Sequence, residues 1–151
     1  MLAIQIKDVK KFMAKLLSAD IFDNFLLEEA QIHTYNTFTI DGHLNREFYT
    51  KEEMEDLEIV PYEYSQWKHM KSICFQLIKG KKVPIFMKII LHKKPEEAYT
   101  LLEEGGALEL ADVLKAFVIT IKFDGNGLML TTGTSFSTFV MDKSADLLWD
   151  N

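Results

Sequence analysis

No other stretch constrains the fold as tightly as residues 116–133, AFVITIKFDGNGLMLTTG. Phe117, Ile119, Ile121 and Phe123 alternate with Val118, Thr120 and Lys122. A period of two sends one set to each side of a strand. Asp124-Gly125-Asn126-Gly127 then supplies turn residues, and Leu128 and Leu130 resume the alternation. This is the pattern of an antiparallel hairpin. Such a hairpin has to bury its apolar face against another layer. Two amphipathic segments are available for that. Val9, Phe12, Met13, Leu16 and Leu17 recur at helical spacing behind Asp8, a capping residue, and the helix is expected to end near Ser18. Trp67, Met70, Cys74, Leu77 and Ile78 do the same between Ser65, the expected N-cap, and Gly80, the expected stop. The pattern predicts an α+β fold, a mostly antiparallel sheet with three or four helices.

The remaining segments fit that class. Residues 2–6, 25–35, 37–43 and 84–92 read as strands, the last apolar on both faces and therefore central. Ala30 and Ile32 are expected on one face of their strand, Gln31 and His33 on the other. REFYT at 46–50 and FSTFV at 136–140 read as further strands, and KEEMEDLE at 51–58 as a short helical turn. Pro61 makes 59–64 an edge strand or an extended linker. Pro95, Glu96 and Glu97 open a helix that runs to Glu104, before Gly105-Gly106. Residues 107–114 read as helical or irregular, and Asp142 as the cap of a last helix ending in Trp149. The 151 residues suit one domain, 1–151, with 48% apolar and 26% charged residues as in ordinary globular chains.

Charge is distributed unevenly. Residues 65–94 hold eight lysines and no acid, while all 23 acidic residues lie outside that window. The window therefore carries +8 within a chain of net charge −6. Lysines 7, 10, 11 and 15 add a second basic face on the first helix. The cations are lysines except for Arg46, so contact with a polyanion is expected to be loose and salt-sensitive rather than bidentate. The candidate face comprises Lys7, Lys11, Lys15, Lys68, Lys71, Lys79, Lys81 and Lys82. Its expected partners are nucleic acid or an acidic protein segment. The competing reading is a solvated surface, partly paired with the acidic stretch at 52–58.

The two helix–strand segments line up at an offset of 58 positions. Val9 falls on Trp67, Phe12 on Met70 and Leu27 on Ile85. This suggests an internal repeat, 2–58 and 59–141, with an inserted excursion at 94–114. A chance match between helix–strand patterns is the alternative. The resulting βαβββ order resembles the domain of DNA sliding clamps, with LAIQIKDVKKFMAKLL like a clamp's first strand and helix and FVITIKFDGNGLMLTTGT like its later hairpin. That resemblance implies two helices whose basic residues face DNA. It departs from the clamp pattern in having one such domain where clamps chain two or three, and in the excursion. The whole sequence also resembles a small bacterial family of unknown function, which implies no activity.

No catalytic constellation stands out. G-x-S-x-G, Walker A and G-x-G-x-x-G motifs are missing, and no cofactor is expected. Cys74 lies on an apolar stripe and reads as a core thiol. As a lone cysteine it forms no internal disulfide, and a reducing cytoplasm is its expected setting. A two-residue hairpin loop would set His33 opposite Phe38 and His43 opposite Glu28, on the order of 16 Å apart, too far for one metal. His69 and His92 read as solvated surface. The leaning is towards a non-enzymatic binding module. A ligand pocket or enzyme site near residues 95–112, and a subunit of a larger assembly in which homo-oligomers pair, are the other readings. No apolar run is long enough to span a bilayer. The opening MLAIQIKDVKK reverses the charge order of a signal peptide.

Overall fold

The computed structural model describes residues 1–56, 61–80, 82–138 and 140–150. Among these, seven strands form one sheet and five segments are α-helical. In chain order they are β1 (Ala3–Ile6), α1 (Val9–Leu17), β2 (Phe25–His33), β3 (Thr37–Asp41), α2 (Lys51–Glu55), β4 (Ser65–Gln66) and α3 (Trp67–Ile78). Then follow β5 (Phe86–Lys93), α4 (Pro95–Glu104), β6 (Leu114–Phe123), β7 (Leu128–Phe136) and α5 (Ser144–Asp150). The sheet order is β1-β7-β6-β5-β2-β3, with β4 also on β2, and every pairing is antiparallel. No described helix is long and apolar enough to cross a membrane.

Register shows how the alternation is used. The rungs Met87–Phe123, Ile89–Ile121 and Leu91–Ile119 join β5 to β6, and Ile121–Leu130 and Phe123–Leu128 carry them on to β7. Ala30 and Ile32 extend the same face on β2. These side chains form one core with Leu16 and Leu17 of α1 and Trp67 and Cys74 of α3. Phe117 continues that face of β6 and packs with Ala98 and Leu102 of α4 and Ala145 of α5. Four helices thus cover one face of the sheet. The other presents polar side chains such as Gln5, Lys88, Thr120 and Lys122, opposite in register to the core residues.

The helix ends follow local chemistry. The Asp8 carboxylate accepts from the Lys11 amide at 3.0 Å and starts α1. Thr50 and Glu53 form a reciprocal capping box at α2. In the β6–β7 turn the Asp124 carboxylate accepts from the amides of Asn126 and Gly127, both at 2.9 Å. Gly125 takes a φ of +93° there, a conformation open to glycine.

Several expectations are corrected. Residues 46–48 form a 3-10 turn, because Thr50 has to be placed to cap α2, and Phe48 is left 84% exposed instead of buried in a sheet. Ser65 does not cap α3. Its backbone pairs with Leu27 and donates to the Gly42 carbonyl, so Gln66 takes the cap position and the helix begins at Trp67. Residues 136–140 add no separate strand among those described: Phe136 ends β7 itself, opposite Leu114. The β2–β3 loop has three residues, Thr34 to Asn36, so His33 lies opposite Thr37 and Glu29 opposite Asp41. Without a strand at 46–50, the first half contributes one strand fewer than a βαβββ unit requires. Five helices replace the three or four expected, since α2 is a full short helix.

Candidate functional site

The two lysine-bearing helices are neighbours. α1 leaves β1 at the end of the sheet where Ile6 pairs with Leu128, and delivers the chain to β2 at the opposite end. α3 leaves β4 beside Leu26 and Leu27 and returns the chain to β5 at the first end. The helices are therefore antiparallel. The Trp67 indole, fully buried, donates to the Leu16 carbonyl at 2.9 Å and locks them together. An indole N–H buried without a partner would cost desolvation energy, so this bond also satisfies Trp67. Neither helix contains an Asp or Glu.

The lysines sort into distinct environments. Lys7, Lys11, Lys15, Lys68, Lys79 and Lys82 are exposed. Lys71 is engaged: its ammonium meets the Asp23 carboxylate at 2.6 Å and donates to the Ala19 carbonyl at 3.0 Å, with only 19% of the side chain exposed. Lys81 lies outside the described residues. Lys93 sits over the rings of Phe25 and Trp149, and Lys94 over Tyr62. Lys88 belongs to the opposite face of the sheet.

Between α1 and α3 lies an open groove of about 750 Å³. Met13, Leu17, Phe75 and Ile78 form its walls, and the rung Met87–Phe123 closes the sheet side. Lys10, Lys79 and Lys82 line it too, and no acidic residue does. These lysines gather at one end, because the first turn of α1 and the end of α3 meet there. The segment around 95–112 behaves differently. Ala98, Leu102, Ala107 and Leu110 are buried in it, so it forms a second core.

Cys74 is fully buried, and burial pushes its thiol up to about 12. It is a core group, in line with its place on the apolar stripe.

A polar cluster sits on the other side of the sheet. His92 is 7% exposed, a correction to its reading as solvated surface. Its Nε2 pairs with the Glu28 carboxylate at 2.9 Å, and the Tyr64 ring packs against it edge-on at 5.0 Å. Tyr64 also stacks on His43, whose Nδ1 meets Asp41 at 2.8 Å. Burial lowers the His92 pKa despite the opposing pull of Glu28. Desolvation, with Glu28, Glu63 and Asp41 nearby, raises that of Tyr64. Gly42 makes this approach feasible. Its amide donates to the Glu28 carbonyl at 2.8 Å, and a Cβ there would lie 1.7 Å from the Leu27 oxygen. His43 and His92 are far apart in sequence, and only the β2–β5 pairing brings them together. A histidine in a largely apolar central strand was the available signal. Among the described residues, no three His, Cys, Asp or Glu side chains are grouped to hold a metal ion.

The model of a family described as a family of unknown function (DUF5721) matches residues 15–151. No curated protein and no solved structure matches the chain.

Proposed function

The chain belongs to the DUF5721 family of unknown function, and we propose that it is a non-enzymatic binding module whose α1–α3 face receives a polyanion, with nucleic acid as the leading candidate. One observation carries this reading: two antiparallel helices lie side by side, both bearing lysines and neither bearing an acid. Lys11 and Lys15 are four residues apart on one side of α1, and Lys7 precedes its cap, Asp8. Lys68, Lys79 and Lys82 supply the charge of the second segment. The remaining acids leave the molecule acidic overall, which disfavours indiscriminate association and confines attraction to this face. Lysine ammonium groups act as point charges, so counterion release supplies the affinity and base sequence is not read.

The test is a fluorescence-anisotropy titration with a short DNA duplex over a range of salt concentrations. Each phosphate contact contributes roughly −0.9 to the slope of log K against log salt. Replacing Lys11, Lys15 and Lys68 together by alanine is expected to flatten that slope by about 3. No binding at low salt, or a slope that the triple variant leaves unchanged, overturns the reading.

A further inference from the structure

We propose that the groove between α1 and α3 binds a single-chain amphiphile, an apolar chain with an anionic head group at one end. This goes beyond the polyanion face. A polyanion would use exposed lysines and leave the apolar walls idle.

The size is suitable. About 750 Å³ falls within the range of roughly 300–1,000 Å³ typical of small-molecule sites. The groove also leaves apolar surface in water: Phe75 is 39% exposed and Val83 at its lip 74% exposed. Covering such surface is favourable at about 25 cal/mol per Å². Charge then selects the occupant. Lys10, Lys79 and Lys82 are the charged residues in the lining. They disfavour a cationic amphiphile and attract an anionic one.

Polarity along the groove sets the orientation. The three lysines sit where α1 begins and α3 ends. The end formed by Leu17 and Ser18 has no charge. A ligand with one charged terminus and an apolar tail matches this division. Ammonium groups bind a carboxylate or a phosphate as point charges, so a fatty-acid head and an alkyl-phosphate head share the required chemistry. Ala14 leaves room in the α1 wall, and its side chain is exposed.

The experiment is isothermal titration calorimetry of the full chain with dodecanoate, dodecyl phosphate and dodecyltrimethylammonium, each as a monomer below micelle formation. The anions are expected to bind one per chain, and the cation about tenfold more weakly or worse. The ratio between the two anions reports which head group is preferred. Combining Lys10→Ala, Lys79→Ala and Lys82→Ala is expected to weaken the anions by about tenfold or more. Ala14→Trp, which fills the groove, is expected to abolish binding and to leave the salt slope for duplex DNA unchanged. Val83→Glu places a carboxylate at the exposed lip and is expected to weaken the anions by a similar factor, so the test survives if Ala14→Trp fails to fold.

Equal affinity for anions and cation overturns the proposal, as does binding insensitive to both groove variants. Binding confined to anionic vesicles would assign the groove to a membrane surface and overturn it. So would a mass that rises with concentration and falls in Ala14→Trp, which would assign the groove to a second copy of the chain.

Discussion

α1 and α3 cover the sheet where β2, β5, β6 and β7 supply the core, and α4 and α5 cover it around Phe117. Each pair has one tryptophan that donates to a backbone carbonyl: Trp67 to Leu16 at 2.9 Å and Trp149 to Val118 at 2.8 Å. The outcomes differ. Trp67 ties helix to helix, while Trp149 ties a helix to the sheet, and its ring stacks on Phe117 at 5.2 Å. At α4 and α5 the gap is filled, because Gly105 lets Leu148 approach so closely that a Cβ would lie 2.2 Å from its Cδ2. At α1 and α3 the gap stays open, with Ala14 and Gly80 in its lining. The charges divide the same way. α1 and α3 carry lysines without acids, and α4 and α5 carry Glu96, Glu97, Glu103, Glu104, Asp146 and Asp150 without Lys or Arg. One face of the sheet therefore has a basic open half and an acidic closed half. The contrast teaches that the two halves differ in what the helices leave unfilled as much as in their charge.

The largest effect that bears on this contrast comes from the indoles. Trp67→Ala is expected to cost about 4 kcal/mol and Trp149→Ala about 3 kcal/mol, since Trp67 is fully buried and Trp149 only partly. Urea unfolding measures both, and the reverse order would break the assignment of Trp67 as the central clamp. Next come the lysines. Lys71→Ala removes charge-assisted bonds to Asp23 and Ala19 and is expected to cost about 2 kcal/mol. Lys68→Ala, at an exposed position, should stay within about 0.5 kcal/mol. Equal costs would mean that the basic helix face is not divided into structural and solvent-facing lysines.

The smallest effect extends the comparison to the opposite face of the sheet. Burial lowers the His92 pKa below its ordinary 6.5. Between the folded and unfolded values, the unfolded chain binds more protons, so stability rises with pH. The contribution of His92 is complete above pH 6.5 and is lost as pH falls through the folded value. Melting temperature followed through this acid range should slope in the wild type and flatten in His92→Gln. A slope that persists unchanged in His92→Gln would show that the cluster around Tyr64 does not govern acid stability.

Much of the architecture was legible in the residues. Pro95 with Glu96 and Glu97 marks a helix that runs to Glu104, and the alternation from Phe117 to Phe123 marks β6. Asp8 caps α1 as its position suggests, whereas the Asp142 carboxylate accepts from the amide of Ser144, the first residue of α5, from one place outside the cap. The errors fall where short patterns compete with longer-range pairing. REFYT alternates over too few residues to distinguish a strand from the turn that Thr50 needs. Ser65 is a good cap in isolation, but β2 claims its backbone. The β2–β3 register hinges on a single loop residue, and a slip of one changes every partner.

The sequence by itself determined most of the elements and the apolar stripes of α1 and α3. It did so because periodicity and capping are local, fixed by residues a few positions apart. Tertiary structure alone decided that α1 and α3 run antiparallel in contact, that Lys71 is taken by Asp23, and that a groove with three lysines at one end remains between them. It also decided that His92 meets Glu28, Tyr64 and, through it, His43. Those are contacts between segments distant in the chain. Strand order and the volume left between packed side chains set them, and neither is carried by any local pattern.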